Sequence, residues 1–368
     1  TKYEPIFNYF EARHPNDYRI VNDDYVTADD GTGIVHIAPA YGEDDYRICQ
    51  KEGVAMEDPL DAECCFTSAA PDFEGMQCKA ADKAVIKWLK EQGKLVHQDT
   101  IVHSYPYCER TDTPLIYKAI DAWYVRVEDL HERLLKNNAQ TTWMPAAIGT
   151  HRFANWLADA KDWNISRNRF WGSCIPLWIN VDDPQDIICV DSVDTLEKLS
   201  GVKVTDLHKH FIDKIEIIKD GKRYRRTPEV LDCWFESGSM PYAQSHYPFE
   251  NKEFVEKNLP ADFIAEGLDQ TRGWVYALMV LSTALFDKPP FQHVVVNGLI
   301  LAEDGHKMSK HLKNYPDPMN VIEKYGADAL RLCLLASPVV RAEDLRFSET
   351  AVREIMRTVL LPLWNSYS

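Results

Sequence analysis

A chain of 368 residues, 45% hydrophobic and 27% charged, carries enough apolar material for two or three domains with sizeable cores. Its net charge of −16 excludes a uniformly basic nucleic-acid coat, so contact with a polyanion must rest on local runs: Arg167 and Arg169, Lys222 to Arg226, or Lys307 to Lys313. The apolar stretch from Val275 to Phe286 is too short to span a bilayer, and no secretory leader is expected from the opening Thr1-Lys2-Tyr3-Glu4-Pro5. Nine cysteines without a C-x-x-C pair point to reduced thiols in a cytoplasmic setting, and no metal site held by the chain itself is expected.

In chain order, a β-rich run is expected over Gly33 to Ala38. A helix is expected near Ala80 to Gln92, where Ala81, Ala84, Val85, Trp88 and Leu89 fall at helical spacing. A charged insert near 181–228 carries no legible motif, and its Lys222 to Arg226 run reads as a solvated face. Between Thr271 and Phe286 an apolar helix should pack on a sheet, and Val294-Val295-Val296 reads as a buried parallel strand. That strand leads to Lys307-Met308-Ser309-Lys310. Two ammonium groups three residues apart on a loop loosened by Gly305 can meet charge that develops on a leaving polyphosphate. Taken alone, the four residues are also a common polar surface string. Helical character returns around Tyr325 to Arg331 and from Ala351 to Trp364.

Four motifs appear in a recognisable order: Trp163-Asn164-Ile165-Ser166-Arg167-Asn168-Arg169-Phe170-Trp171-Gly172, then Asp232-Cys233-Trp234-Phe235-Glu236-Ser237-Gly238, then Glu266-Gly267-Leu268-Asp269-Gln270-Thr271-Arg272-Gly273-Trp274, then the lysine loop. In that order they resemble class I aminoacyl-tRNA synthetases. Upstream, the run from Gly31 to Tyr46, which includes His36, Pro39 and Asp45, resembles the inserted editing domain of the isoleucine, valine and leucine group, so the resemblance covers nearly the whole chain. The Asp269 to Trp274 tract is similar to the isoleucine branch, and Cys233 to Gln244 with Lys313 to Pro318 is closer to its eukaryotic cytosolic members.

The resemblance implies an α/β fold: the second half of a Rossmann-type catalytic domain over 161–345, interrupted near 181–228, with the lysine loop at 307–310. Residues 1–160 would be the C-terminal portion of a mixed α/β, β-barrel-like editing domain, and 346–368 the start of a helical anticodon-binding bundle. It implies ATP and Mg²⁺ as cofactors, with L-isoleucine and tRNA(Ile) as partners, no membrane, and a possible place in a multi-synthetase assembly. Trp234 and Trp274 would line the aliphatic pocket. Asp269 and Gln270 would contact the polar end of an adenylate beside Glu266 and Gly267. Lys307, Met308, Ser309 and Lys310 would bind ATP, with both lysines stabilising the departing pyrophosphate.

In the editing match, Asp45 would pair with the α-ammonium of a misacylated valine, and His36 would place the ribose end and the attacking water. As isolated residues, His36 reads as a core histidine and Asp45 as a cap.

None of the twelve histidines shows His-x-x-His spacing, so the family's ATP-binding histidine signature is missing, as is the threonine-rich strand of its editing pocket. The expectation is therefore a fragment that cannot form adenylate unaided. The alternatives left open are a non-catalytic tRNA-binding module, a small-substrate nucleotidyltransferase of the same superfamily, or the valine branch.

Overall fold

The computed structural model describes residues 1–29, 32–108, 111–309 and 312–368. Lys310 and Gly31 therefore lie outside the described residues. Two compact units are present, Thr1–Asp121 and Ala122–Ser368.

The first unit is built on two helices. Glu43–Glu52 gathers Glu43, Asp44 and Asp45 in its first turn, where they oppose the positive end of the helix dipole, and stops at the left-handed Gly53. Cys78–Glu91 is the helix expected from the Ala81 to Leu89 spacing. Its free amides at Lys79 and Ala80 are both taken by the Gln77 side chain. Phe7 packs on Trp88 at 4.6 Å and edge-on to Phe73 at 5.7 Å. Among the described residues this unit has isolated bridges, such as Lys2 with Arg19 and Cys65 with Gln77, but no ladder.

Gly33 to Ala38 is thus not a strand, which corrects that expectation. A β-rich composition makes a strand only where a second strand lies in register beside it. Ile34 instead stays 78% exposed.

In the second unit, strands Ala261–Gly267, Phe291–Asn297 and Thr142–Met144 form a parallel sheet with Phe291–Asn297 in the middle. Parallel neighbours need a crossover, and the helix Trp274–Phe286 supplies it between the first two. Every residue from Val275 to Thr283 is buried, as expected of a helix that is apolar on all sides. Val275, Met279 and Val280 meet Phe291, Val294 and Val296 of the sheet, together with Trp143, Phe153 and Leu157. Val294 and Val296 are buried as expected, but Val295 points to the opposite face and is partly exposed, as is Phe263. Burial of every residue along a strand needs a covering layer on each face, and here one face is covered, so burial alternates from Val294 to Val296.

The partner strand Thr142–Met144 explains why residues 122–160, expected with the first domain, fold with the second unit. Trp143 sits in the second unit's core and Thr142–Met144 pairs with the middle strand, so the compact-unit boundary falls at 121/122 and not at 160/161.

The charged insert is a four-stranded antiparallel sheet, ordered Ile187–Cys189, Leu177–Asn180, Lys222–Arg226, Ile217–Lys219. It has its own core of Trp178, Leu196, Ile212, Ile217 and Tyr224. The Lys222 to Arg226 run is the third strand. Lys222 and Arg225 pair with Asp186 and Glu216, while Arg226 turns inward to Asp213.

Hydrogen bonds from Lys222, Asn180 and Tyr224 hold the Asp186 carboxyl at about 2, below its ordinary 3.8. A depressed carboxyl contributes stability that is present above its unfolded value and lost as pH falls through its folded value. Asp186→Asn should therefore flatten the acid limb of unfolding midpoints between pH about 4 and about 2. An unchanged slope across that window would show that the network does not couple to folding.

The C-terminal segment is helical, with Pro318–Tyr325, Ala327–Leu335 and Glu349–Ile355 packed around Val321, Ala329, Cys333 and Val352. No helix among the described residues is long and apolar enough to cross a membrane.

Candidate functional site

The second unit's sheet delivers its motif residues at the carboxyl ends of parallel strands, where open α/β sheets place ligands. Glu266 pairs with Val296 and Gly267 with Asn297 at the last register positions. The chain then turns through the short helix Leu268–Arg272 and enters Trp274–Phe286 at Gly273. The Asp269 carboxylate lies over Gly267, and the Gln270 carboxamide reaches toward Asp269 at 3.5 Å. Gln270 Oε1 also accepts the Trp274 amide at 3.1 Å, one of the four free donors at that helix start. The turn is braced from outside by Arg152, whose Nε donates to Thr271 Oγ1 at 3.2 Å.

Gly273 adopts φ −134° and ψ −116°, and a Cβ there would meet Gln270 Oε1 at 2.9 Å and the Trp234 ring at 3.3 Å. The structure thereby brings Trp234, Gln270 and Trp274 around one glycine. Trp234 comes from the helix Cys233–Gly238, which packs on Trp274–Phe286 through Gly238 against Ala277 and Leu281. Trp274 Nε1 donates to Ser237 O at 3.0 Å, fixing one ring, while Trp234 remains 42% exposed and open to a ligand. Two indoles beside a carboxylate and a carboxamide suit an apolar side chain with a polar end.

Asp232 had no assigned role, yet it anchors this corner. It is 3% exposed, and its Oδ2 accepts from Trp163 Nε1 at 3.2 Å and lies 3.2 Å from the Arg167 guanidinium. Its amide donates to Ile165 O, and its carbonyl accepts from Phe235 and Glu236. Two motifs far apart in sequence are thus joined by one buried carboxylate. The adjoining Glu236 accepts the Ser173 amide at 2.8 Å. A cleft of about 1350 Å³ lies between the insert and this corner, lined among others by Arg167, Trp171, Asp232, Cys233 and Glu236. Below the corner, burial, with Asp162 adding to it, pushes the Tyr276 hydroxyl up to about 12, so it stays neutral.

The segment that enters the lysine loop, 301–307, is a hairpin. Leu301 bridges Lys307, Ala302 N donates to His306 O at 2.9 Å, and Gly305, at φ +85°, makes the tip. Its base, Ile300–Leu301, pairs in parallel with Leu345–Arg346. Past Lys307 the loop is held by Asn314: Nδ2 donates to Lys307 O at 3.1 Å and Oδ1 accepts the Ser309 amide at 2.9 Å. Met308 lines a cavity of about 420 Å³ shared with Asn314, Tyr315 and Phe347. Asn314 was visible in the sequence only as part of a downstream string. The usable signal was an Asn just past a turn, a residue type whose side chain satisfies nearby backbone groups.

In the first unit, Asp45 Oδ2 accepts the Ala38 amide at 2.9 Å and lies over Gly42. That bond closes the Gly33 to Tyr46 segment on itself. His36 is exposed.

No group of three or more His, Cys, Asp or Glu converges among the described residues.

The tRNA synthetases class I (I, L, M and V) family matches residues 12–346. Isoleucine–tRNA ligase, cytoplasmic, from Caenorhabditis elegans is 55% identical over 100% of this chain and 33% of its own length. The protein of that name from Arabidopsis thaliana is 56% identical over 100% of this chain and 31% of its own. The isoleucine–tRNA ligase of Bdellovibrio bacteriovorus reaches 56% over 100% and 35%. The chain spans about a third of the length of these relatives. With the match running through the sheet ends, the tryptophan corner and the hairpin alike, the chain belongs to the class I tRNA synthetases of the isoleucine, leucine, methionine and valine group.

Proposed function

We propose that the protein carrying this chain is an isoleucine–tRNA ligase. The observation that carries this reading is the 55–56% identity to isoleucine–tRNA ligases along the entire chain. The reaction has two steps: the isoleucine carboxylate attacks the α-phosphorus of ATP to give isoleucyl-adenylate and pyrophosphate, then the 3′-terminal ribose of tRNA(Ile) takes the acyl group. Such transfers are driven by positioning and charge stabilisation. Trp234 and Trp274 would hold the aliphatic side chain, and Asp269 and Gln270, beside Glu266 and Gly267, the polar end of the adenylate. Lys307 and Lys310 would meet the charge on pyrophosphate, and Met308 and Ser309 would complete the ATP contact. Mg²⁺ supplies further neutralisation when bound to the phosphates.

One methylene in an apolar pocket is worth roughly 1–3 kcal/mol, a limit for which valine against isoleucine is itself the usual illustration. A hydrolytic second site is therefore part of the proposal, with His36 and Asp45 in the first unit as its residues. The engaged Asp45 carboxylate would keep one oxygen for a substrate ammonium while the other holds Ala38. A cytoplasmic location and a helical tRNA-binding extension beyond residue 346 belong to the same reading.

The test is amino-acid-dependent ATP–pyrophosphate exchange by the full protein. Isoleucine should exceed valine by about 10- to 200-fold in kcat/KM. Equal or greater activity with valine would place the protein in the valine branch, and none with either would leave a tRNA-binding role.

A further inference from the structure

We infer that Asn314 is a positioning residue for the lysine loop, setting where Lys307 and Ser309 stand when ATP reacts. This rests on reading that loop as the phosphate-binding element. The hairpin ladder stops at Lys307, whose bridge to Leu301 is its last backbone tie. Met308 and Ser309 then continue without a neighbouring strand. Two sets of bonds hold them. The Ser309 carbonyl accepts the Lys313 amide at 2.9 Å, and its hydroxyl accepts the Leu312 amide at 3.4 Å. Lys313 adopts φ +49°, a left-handed conformation that turns the chain back on itself. That reversal carries the Asn314 carboxamide to the loop, where its Nδ2 donates a hydrogen bond to Lys307 O and its Oδ1 accepts one from Ser309 N.

The two bonds have opposite polarity and fall two residues apart. A carboxamide is the small side chain that offers a donor and an acceptor on one rigid plane. Aspartate could accept from Ser309 but could not donate to Lys307 O, and it would add a negative charge beside lysines meant for phosphate. Alanine would lose both bonds. The Lys307 carbonyl is the backbone anchor nearest its own side chain, so losing it frees the ammonium to wander, and displacement by about 1 Å can lower a rate by about 100-fold.

Among the described residues, the hydrogen bonds of the Asn314 side chain go to the lysine loop and not to the tryptophan corner, so isoleucine recognition should be untouched. The experiment compares wild type, Asn314→Ala and Asn314→Asp in the full protein. It uses isoleucine-dependent ATP–pyrophosphate exchange, hydrogen exchange at the Ser309 amide, and thermal unfolding. Asn314→Ala should lower kcat by about 10- to 100-fold and Asn314→Asp by at least about 10-fold. KM for isoleucine should hold within about twofold, and Ser309 protection should fall in the alanine variant without a matching drop in melting temperature. Unchanged Ser309 exchange, an unchanged kcat, or a loss tracked by global unfolding would overturn the assignment while the ligase reading stands. A wild-type protein without exchange activity would overturn that reading, and this inference with it.

Discussion

Gly298→Ala is expected to unseat the base of the lysine hairpin, because the added methyl would overlap the backbone carbonyl of Glu343. A flexible side chain could swing aside, but the Glu343 peptide is tethered two residues before the paired strand Leu345–Arg346 and cannot. Around this contact Gly298 donates to Val339 O at 2.7 Å, Leu345 donates to Leu299 O at 2.9 Å, and Phe347 donates to Leu301 O at 2.9 Å. Separating the two segments enough to fit the methyl breaks some of these bonds as well as straining the rest. Overpacking typically costs about 1–3 kcal/mol, and a backbone clash belongs at the upper end. Amides of Leu345 and Phe347 should therefore exchange at least about tenfold faster, since about 1.4 kcal/mol already gives that factor. The amides of Phe291 to Val296, held by the sheet, should keep their protection. Equal exchange at Leu345 in variant and wild type would mean that the strands slide apart at no cost.

Asp232→Ala should be the most damaging change at the tryptophan corner. It leaves the Trp163 indole N–H and the Arg167 guanidinium without the carboxylate both now use. Removing one partner of a buried pair costs about 3–5 kcal/mol. Arg167 is partly exposed and can recover water, so about 3 kcal/mol is the expected size. Asp232→Asn keeps an acceptor for the indole and should lose roughly half as much, consistent with about 1–2 kcal/mol for a charge-assisted bond made neutral. Urea unfolding midpoints of the two variants, read beside wild type, measure this order. A small and equal effect from both would show that the carboxylate is not the joint between the two motifs. The wider consequence is functional, because Asp232 begins the helix that carries Trp234, so its loss should raise KM for isoleucine as well.

The long apolar helix was legible in the sequence because its composition allows one outcome: a helix apolar on every side must be buried, and Val275 to Thr283 are. The helix Cys78–Glu91 was legible from its spacing, and the strand after the long helix from its valines. What failed were readings of segments whose partners the local pattern does not reveal. Gly33 to Ala38 has the composition of a strand but no strand beside it, and Val295 has no layer over it among the described residues. The Lys222 to Arg226 run illustrates the same limit. Its charges suggested a solvated face, yet pairing with Leu177–Asn180 makes it an alternating strand that buries Tyr224 and Arg226.

The sequence by itself determined the family and the identity of the residues at the sheet ends, the corner and the loop, because motif chemistry is carried by residue type and order. Only the tertiary structure decided which of them meet. Gly273 seats Trp234 against Gln270 and Trp274, Asp232 ties Trp163 to Arg167, and Asn314 joins Lys307 to Ser309. Residues 122–160 go with the second unit for the same reason. Hydrogen bonds and packing act over a few ångströms between residues that can be far apart along the chain, and such proximity is set by the fold, not by local pattern.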